Sequence, residues 1–260
     1  MSSLYSRDFI VTLIIVLIPL CLALNADSYG QRIMTLSGIY AIAAMGYHLI
    51  FGRLGALSLA QGCFFGLGAY SAGLIGVHFE LSFLTCLLFA VIFTALVALI
   101  IALPVLRLES HYFALATLGI AQVALLIAIN WTEVTGGANG TYGIPQLDLF
   151  GMELSSSNHV LLFVWVILVI IVSLTFWIMR APFNYQVTLL KDTPEVAASS
   201  GIDIGRWRLT FFIMSAIFGA TAGALQAYTI GVVSPALSLI HISEPTRQAE
   251  ISYAVFCLKK

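Results

Sequence analysis

The 260-residue sequence predicts an all-α, polytopic bundle of membrane-spanning helices, with about seven spans ahead of residue 237. Composition and pattern lead there together. Hydrophobic residues make up 60% of the chain and charged residues only 9%, with a mean hydropathy of +1.02. A soluble domain carries roughly 25% charged residues, so a water-facing surface cannot be built from this chain. The apolar residues also fall in long runs, each near the roughly 20 residues that a helix needs to cross a bilayer.

The runs cover residues 9–26, 33–51, 56–77, 81–103, 113–130, 159–179 and 209–230. The first has only Arg7 as a basic flank and leads straight into another span, which argues for an uncleaved helix rather than a signal peptide. Pro19 should kink it, as membrane helices tolerate when neighbours satisfy the freed carbonyl. Basic residues set the orientation. Residues 131–158 contain no Lys or Arg, while residues 180–208 carry Arg180, Lys191, Arg206 and Arg208. Cytoplasmic loops are the basic ones, so the second connection is expected inside and the first outside. Counting back by alternation puts Arg107, Arg53 and Arg7 inside and only Arg32 on the wrong side. A multi-pass protein of a bacterial inner membrane with a cytoplasmic N-terminus is the expectation.

Several function classes lose support on the residues alone. No Asp, Glu, Lys or Arg sits in the middle of a run, whereas ion-coupled carriers commonly keep such groups at mid-membrane. Paired aspartates, His-Glu-x-x-His and Gly-x-Ser-x-Gly are all missing, so an intramembrane enzyme has no motif behind it. Cys21, Cys63 and Cys86 lie inside apolar runs and read as packed small hydrophobes. His48, His78, His111 and His159 sit near run ends without metal-site spacing. The net charge of −1 gives no argument for a nucleic-acid partner, and neither nucleic acid nor a cofactor is expected.

The stretch Asp192-Thr-Pro-Glu-Val-Ala-Ala-Ser-Ser-Gly201 carries the sharpest local signal. Asp192 or Thr193 can cap a helix, Pro194 suits its first position, and Glu195 complements the positive end of the helix dipole. Gly201 can take the left-handed conformation that ends it. A helix of about two turns follows, roughly 10 Å long. Ala197 and Ala198 would give it a small-residue surface able to sit in another protein's groove, and so short a helix needs such contacts to persist. On composition alone a loop helix lying on the membrane surface is the favoured reading.

The segment 52–76 holds Gly52, Gly55, Gly62, Gly66, Gly68, Gly73 and Gly76. Gly62-x-x-x-Gly66 offers a close helix–helix contact. The alternative is a broken or re-entrant helix lining a pathway, with Ser58 and Gln61 presenting polar groups to a zwitterion. Gln122 and Asn130 raise the same question, with interhelical hydrogen bonding as their default role. Turn formation suffices to explain the glycines of residues 135–143.

Glu195-x-Ala197-Ala198-x-x-Gly201 resembles the EAA loop of ABC importer permeases, which couples ATPase closure to membrane rearrangement. Other stretches, in the same order, resemble branched-chain amino acid permeases of the M type: the glycine-rich run Gly55 to Tyr70, Arg107-Leu-Glu-Ser-His111-Tyr112-Phe-Ala-Leu-Ala-Thr117-Leu, Thr135-Gly-Gly-Ala-Asn-Gly140, and Ser215-Ala followed by Ala222-Gly-Ala-Leu225. The likeness spans roughly residues 35 to 236. It implies a transport subunit without a catalytic site of its own, coupled through Asp192, Pro194, Glu195, Ala197, Ala198 and Gly201. Ser58, Gln61, Gly62, Gly66, Gln122 and Asn130 become candidates for the substrate pathway or for helix packing. Arg107, His111, Tyr112 and Thr117 belong to a family motif of structural role. The implied partners are a homologous second permease, two ABC ATPase subunits and a periplasmic substrate-binding protein, all at a lipid bilayer. Urea or short amides are alternative cargoes, and an ATP-independent channel or carrier is the alternative mechanism.

Two departures from the family pattern stand out. Ser110 occupies a position usually held by Gly, and the glycine-rich segment expected after Ser234-Pro235 is replaced by other text. From Leu237 the sequence reads LSLIHISEPTRQAEISYAVFCLKK, similar to a translated sequencing-library adapter. Leu237 to Arg247 and Ile251 to Leu258 match its two parts, with residues 248–250 in the place of a sample index. Residues 1–236 are therefore read as a permease domain incomplete at its C-terminus, and residues 237–260 as an artefactual adapter-like tail.

Overall fold

The computed structural model describes residues 27–108, 110–149, 152–153, 156–178, 186–189 and 194–235, with isolated positions at 12, 19, 20 and 23. In chain order the elements are α1 (Ser28–Leu54), α2 (Gln61–Phe79), α3 (Phe83–Val105), α4 (Ser110–Asn130), the one-turn α5 (Thr132–Thr135), a 3-10 turn at Gly137–Asn139, β1 (Thr141–Tyr142), β2 (Asp148–Leu149), β3 (Met152–Glu153), α6 (Ser157–Ile178), the short α7 (Pro194–Ser199), α8 (Ile204–Ile230) and β4 (Val232–Val233). The helices α1, α2, α3, α4, α6 and α8 are long and apolar enough to cross a membrane. The protein is a polytopic α-helical membrane bundle. Of the seven expected runs, 9–26 lies outside the described residues apart from isolated positions, as do residues 237–260.

Helix α8 is the hub, packing against α1, α2 and α3. Its sequence explains why. From Ser215 to Ala227 most side chains are small, which lets neighbouring backbones approach on several sides. Close approach matters more here than in water, because lipid tails are as apolar as Leu and association rests on van der Waals packing. A Cβ at Gly68 of α2 would run into the Ala220 backbone, and one at Gly223 would meet the Phe65 carbonyl. At Gly219 it would come within 3.0 Å of Phe64 Cβ. The tightest contact thus uses Gly68, Gly219 and Gly223. Gly62 and Gly66 are buried on the same α2 helix.

Helix α3 shows how a fully apolar span still has two faces. Phe83, Cys86, Ala90, Thr94, Ala98, Ala102 and Val105 form its buried stripe, small residues at helical spacing. Leu88, Phe89, Ile92, Phe93, Leu96, Ile100 and Leu103 face outward as lipid-facing bulk. Size rather than polarity separates the two faces. Helix α6 repeats the pattern against α1 with Leu161, Val164, Trp165, Leu168, Ile171, Val172 and Thr175, and Gly38 of α1 makes room for Val164 and Trp165. Helix α4 differs, being the least buried of the spans and making only light contact with the rest.

One end of the bundle holds the α2–α3 turn, residues 131–149 and 152–153, and the end of α8. The chain there carries Glu80, Glu133 and Asp148. At the other end lie the α1–α2 and α3–α4 connections, α7 and the start of α8, with Arg53, Arg107, Arg206 and Arg208. At the first end β1 pairs antiparallel with β4, Thr141 opposite Val233, and β2 with β3. Thr135 organises the loop. Its hydroxyl has Ala128 O at 2.6 Å and Trp131 O at 2.8 Å as acceptors for its one proton, and accepts from Gly137 N–H at 3.2 Å. Gly140, at φ +80°, lies so close to Val233 O that a side chain there would clash.

The reading of 56–77 as one apolar run needs correction. Gly55 closes α1 at φ +66°, residues 56–59 belong to no helix, and helix begins only at Gln61. From there α2 runs unbroken to Phe79. The break read from the glycines therefore falls ahead of this span, not inside it.

Candidate functional site

The site begins at α7. Pro194 opens it, where its missing N–H leaves no intrahelical bond unmade, and Glu195 follows in the first turn. Three devices stop it. The Ser199 and Ser200 hydroxyls donate to Val196 O at 2.9 and 2.8 Å, a carbonyl that also accepts from Ser200 N–H at 3.0 Å. Gly201 turns left-handed at φ +76°, and Ile202 N–H reaches back to Ala197 O at 3.1 Å. Asp203 then caps α8 by accepting from Arg206 N–H at 3.1 Å, and holds the Arg206 guanidinium at 2.9 Å. Four residues, Ser200 to Asp203, lie between the end of α7 and the start of the hub helix α8.

One expectation for α7 fails. Ala197 is fully buried within this chain, so it anchors α7 instead of presenting a small surface outward. Val196, Ser199, Ser200 and Gly201 are exposed in its place. The cause is the helical period: a short helix lying on its own bundle must turn one residue per turn inward. Asp192 lies outside the described residues, and Ala198 follows Ala197 in the helix.

Above α7, α8 meets the start of α2. Phe212 packs edge-on against Phe64 of α2 at 5.3 Å and Phe113 of α4 at 6.3 Å. One turn on, the Ser215 hydroxyl donates to Gln61 Oε1 at 2.7 Å. Gln61 Nε2 donates to Ala43 O of α1 at 3.1 Å, with Ser215 O at 3.4 Å. Gly46 and Gly219 leave the slot in which this amide sits. Gln61 thus ties α1, α2 and α8 together inside the bundle. Thr117 does similar work from α4: fully buried, it accepts from Leu59 N–H at 3.1 Å and donates to Ala114 O at 2.9 Å. It pins the segment 55–59. Ser58, on that segment, is 2% exposed, and its hydroxyl has no hydrogen-bond partner.

The remaining candidates stay apart from this cluster. Arg107 is exposed in the turn after α3, His111 stands in the first turn of α4, and Tyr112 is exposed beside it. Asn130 donates to Leu126 O of its own helix at 2.8 Å. Gln122 is exposed on α4 and makes no hydrogen bond among the described residues. Sequence reasoning missed Asp148, whose Oδ1 accepts from Phe83 N–H at 2.7 Å and caps α3 from a distant loop. It also missed Phe212 as a bridge between three helices. An aromatic in an apolar run gives no signal of either kind.

Residues 30–244 match the family model described as the branched-chain amino acid transport system / permease component. The chain belongs to this family. It is 30% identical to the high-affinity branched-chain amino acid transport system permease protein LivM of Salmonella typhimurium, over 90% of this chain and 60% of that protein. It is 32% identical to LivM of Escherichia coli, over 78% of this chain and 53% of that one. The chain therefore spans a little over half the length of these curated relatives. No solved structure matches it. Membership fits a transport subunit in a membrane, with Gln61, Thr117 and Ser215 as its internal polar ties.

Proposed function

We propose that the chain is a membrane-spanning permease subunit of an ATP-driven, binding-protein-dependent importer of branched-chain amino acids. It would sit in the inner membrane with its N-terminus and α7 in the cytoplasm. Two ATPase subunits would receive α7, a homologous second permease would complete the pathway, and a periplasmic binding protein would deliver the solute.

The observation that carries this reading is the placement of α7 just ahead of α8, with only the four-residue turn through Gly201 between them. A six-residue helix, anchored by Ala197 and stopped at Gly201, stands directly before a 27-residue helix that packs on three others. A push on α7 would travel along α8 as along a rod, and Phe212 and Ser215 would pass it to α2 and α4. The basic residues of that end favour the cytoplasmic side. Gln122 supports a second membrane subunit. It lies mid-span on an exposed face, where an amide without a partner in hydrocarbon costs several kcal/mol. Gly119, three residues away, has nothing within 4 Å of where its Cβ would be, leaving space for another helix to approach.

The test is uptake and ATP hydrolysis measured together in proteoliposomes holding the assembled importer. Gly201→Pro cannot keep φ +76°, and Glu195→Arg reverses the charge at the start of α7. Both should leave hydrolysis running while uptake falls at least tenfold. Unchanged uptake in both variants removes the coupling role.

A further inference from the structure

The N-terminus of α2 is buried and uncapped. Its N-cap residue is Ala60, which offers no side-chain oxygen, and the first amide of the helix with an acceptor is Phe64 N–H, bonded to Ala60 O at 3.1 Å. Among the described residues the amides of Gln61, Gly62 and Cys63 find no acceptor, although all three residues are buried. Two residues ahead of the cap, the Ser58 hydroxyl is shielded from solvent and equally without a partner. Three N–H groups at the positive end of a 19-residue helix thus follow, within five residues of chain, an orphaned buried hydroxyl. Buried polar groups are almost always satisfied, and a buried helix end without partners demands an occupant.

We propose that this helix end, with Ser58, is a seat for the carboxylate of an amino-acid zwitterion at one stage of transport. The inference rests on the permease reading above. Convergent N–H donors and the helix dipole favour an anion. The buried polar side chains of the described bundle include Ser58, Gln61, Thr117 and Ser215 but no Lys or Arg. The site therefore suits a single negative charge carried on an overall neutral molecule better than phosphate. The walls fit an aliphatic side chain: Ile50, Phe64, Phe113 and Phe212 form one apolar cluster with Ala60 around this point.

In the conformation described, the seat is closed. Its cover includes α4, the least buried span, which holds the segment 55–59 through the bond from Leu59 N–H to Thr117. Movement of α4 relative to α2 opens the seat, and Phe212, which touches both helices, links that movement to α8.

The experiment uses the full-length protein in its assembled importer, without the binding protein, across nucleotide-free, ATP-trapped and ADP states. Equilibrium binding of radiolabelled leucine is compared with that of leucinamide, which lacks the carboxylate. The expected result is saturable leucine binding in at least one state, no comparable leucinamide binding, an affinity loss of about tenfold or more in Ser58→Ala, and near wild-type binding in Ser58→Thr. Copurification of the ATPases with each variant shows that it has folded and assembled. Equal binding of leucine and leucinamide, or wild-type affinity in an assembled Ser58→Ala, overturns the seat. So does the absence of leucine binding in every state. ATP-driven leucine uptake by the wild-type importer separates the two claims: uptake with an unaffected Ser58→Ala refutes the seat alone, while absent uptake refutes the permease reading.

Discussion

Gly223→Ala should loosen the bundle at its tightest contact. Gly223 of α8 lies against the α2 backbone, where an added Cβ would overlap Phe65 O and come within 2.9 Å of Ala69 N. Neither neighbour is a side-chain tip that could swing away, so the two helices must part by about 1 Å. Each atom pair in contact contributes roughly 0.1–0.2 kcal/mol, and a gap of 0.5–1 Å forfeits about a quarter to a half of that. On the order of 50 such pairs across a helix–helix contact then gives a loss of about 2–4 kcal/mol. No hydrophobic driving force offsets it, because the surrounding lipid is as apolar as the contact. The assay is unfolding of the purified protein in mixed micelles by titration with a denaturing detergent, followed by tryptophan fluorescence. Gly119→Ala is the control, since nothing lies within 4 Å of its Cβ position, and helix propensity alone should make it neutral or up to ~1 kcal/mol stabilising. Gly223→Ala unfolding at the same detergent fraction as the wild type would refute the packing argument.

Other changes follow the same logic. Ser215→Ala strands Gln61 Oε1 inside the bundle and should destabilise by about 1 kcal/mol in the same titration. Asp148→Ala removes the acceptor for Phe83 N–H at the start of α3 and should cost about 1 kcal/mol as well. Thr117→Val leaves Leu59 N–H without its acceptor, so hydrogen exchange in a peptide covering residues 55–60 should speed up at least tenfold.

The long apolar spans were legible in the sequence because crossing a bilayer demands their length and composition. The ending of α7 was legible because Gly201 is a residue that tolerates φ +76° at little cost. The start of α2 was not. Ala56 to Ala60 are apolar enough to read as helix, yet Leu59 N–H is tied to Thr117, 58 residues away, and the helix starts only at Gln61. Gln61 was legible as a polar residue in an apolar span, but its partners, Ser215 and Ala43 O, are products of packing. Ala197 was read as part of an outward surface for a related reason: its inward turn is decided by the bundle it packs on, not by its neighbours in sequence.

The central claim, that α7 is the docking element for an ATPase, is tested most directly by cysteine cross-linking at Val196. This residue is 49% exposed on α7. In inverted membrane vesicles carrying the assembled importer, Val196→Cys should cross-link to the ATPase subunit, with a yield that changes between the ATP-trapped and nucleotide-free states. Labelling of Val196→Cys only from the periplasmic side, or no cross-link in any nucleotide state, would contradict the account.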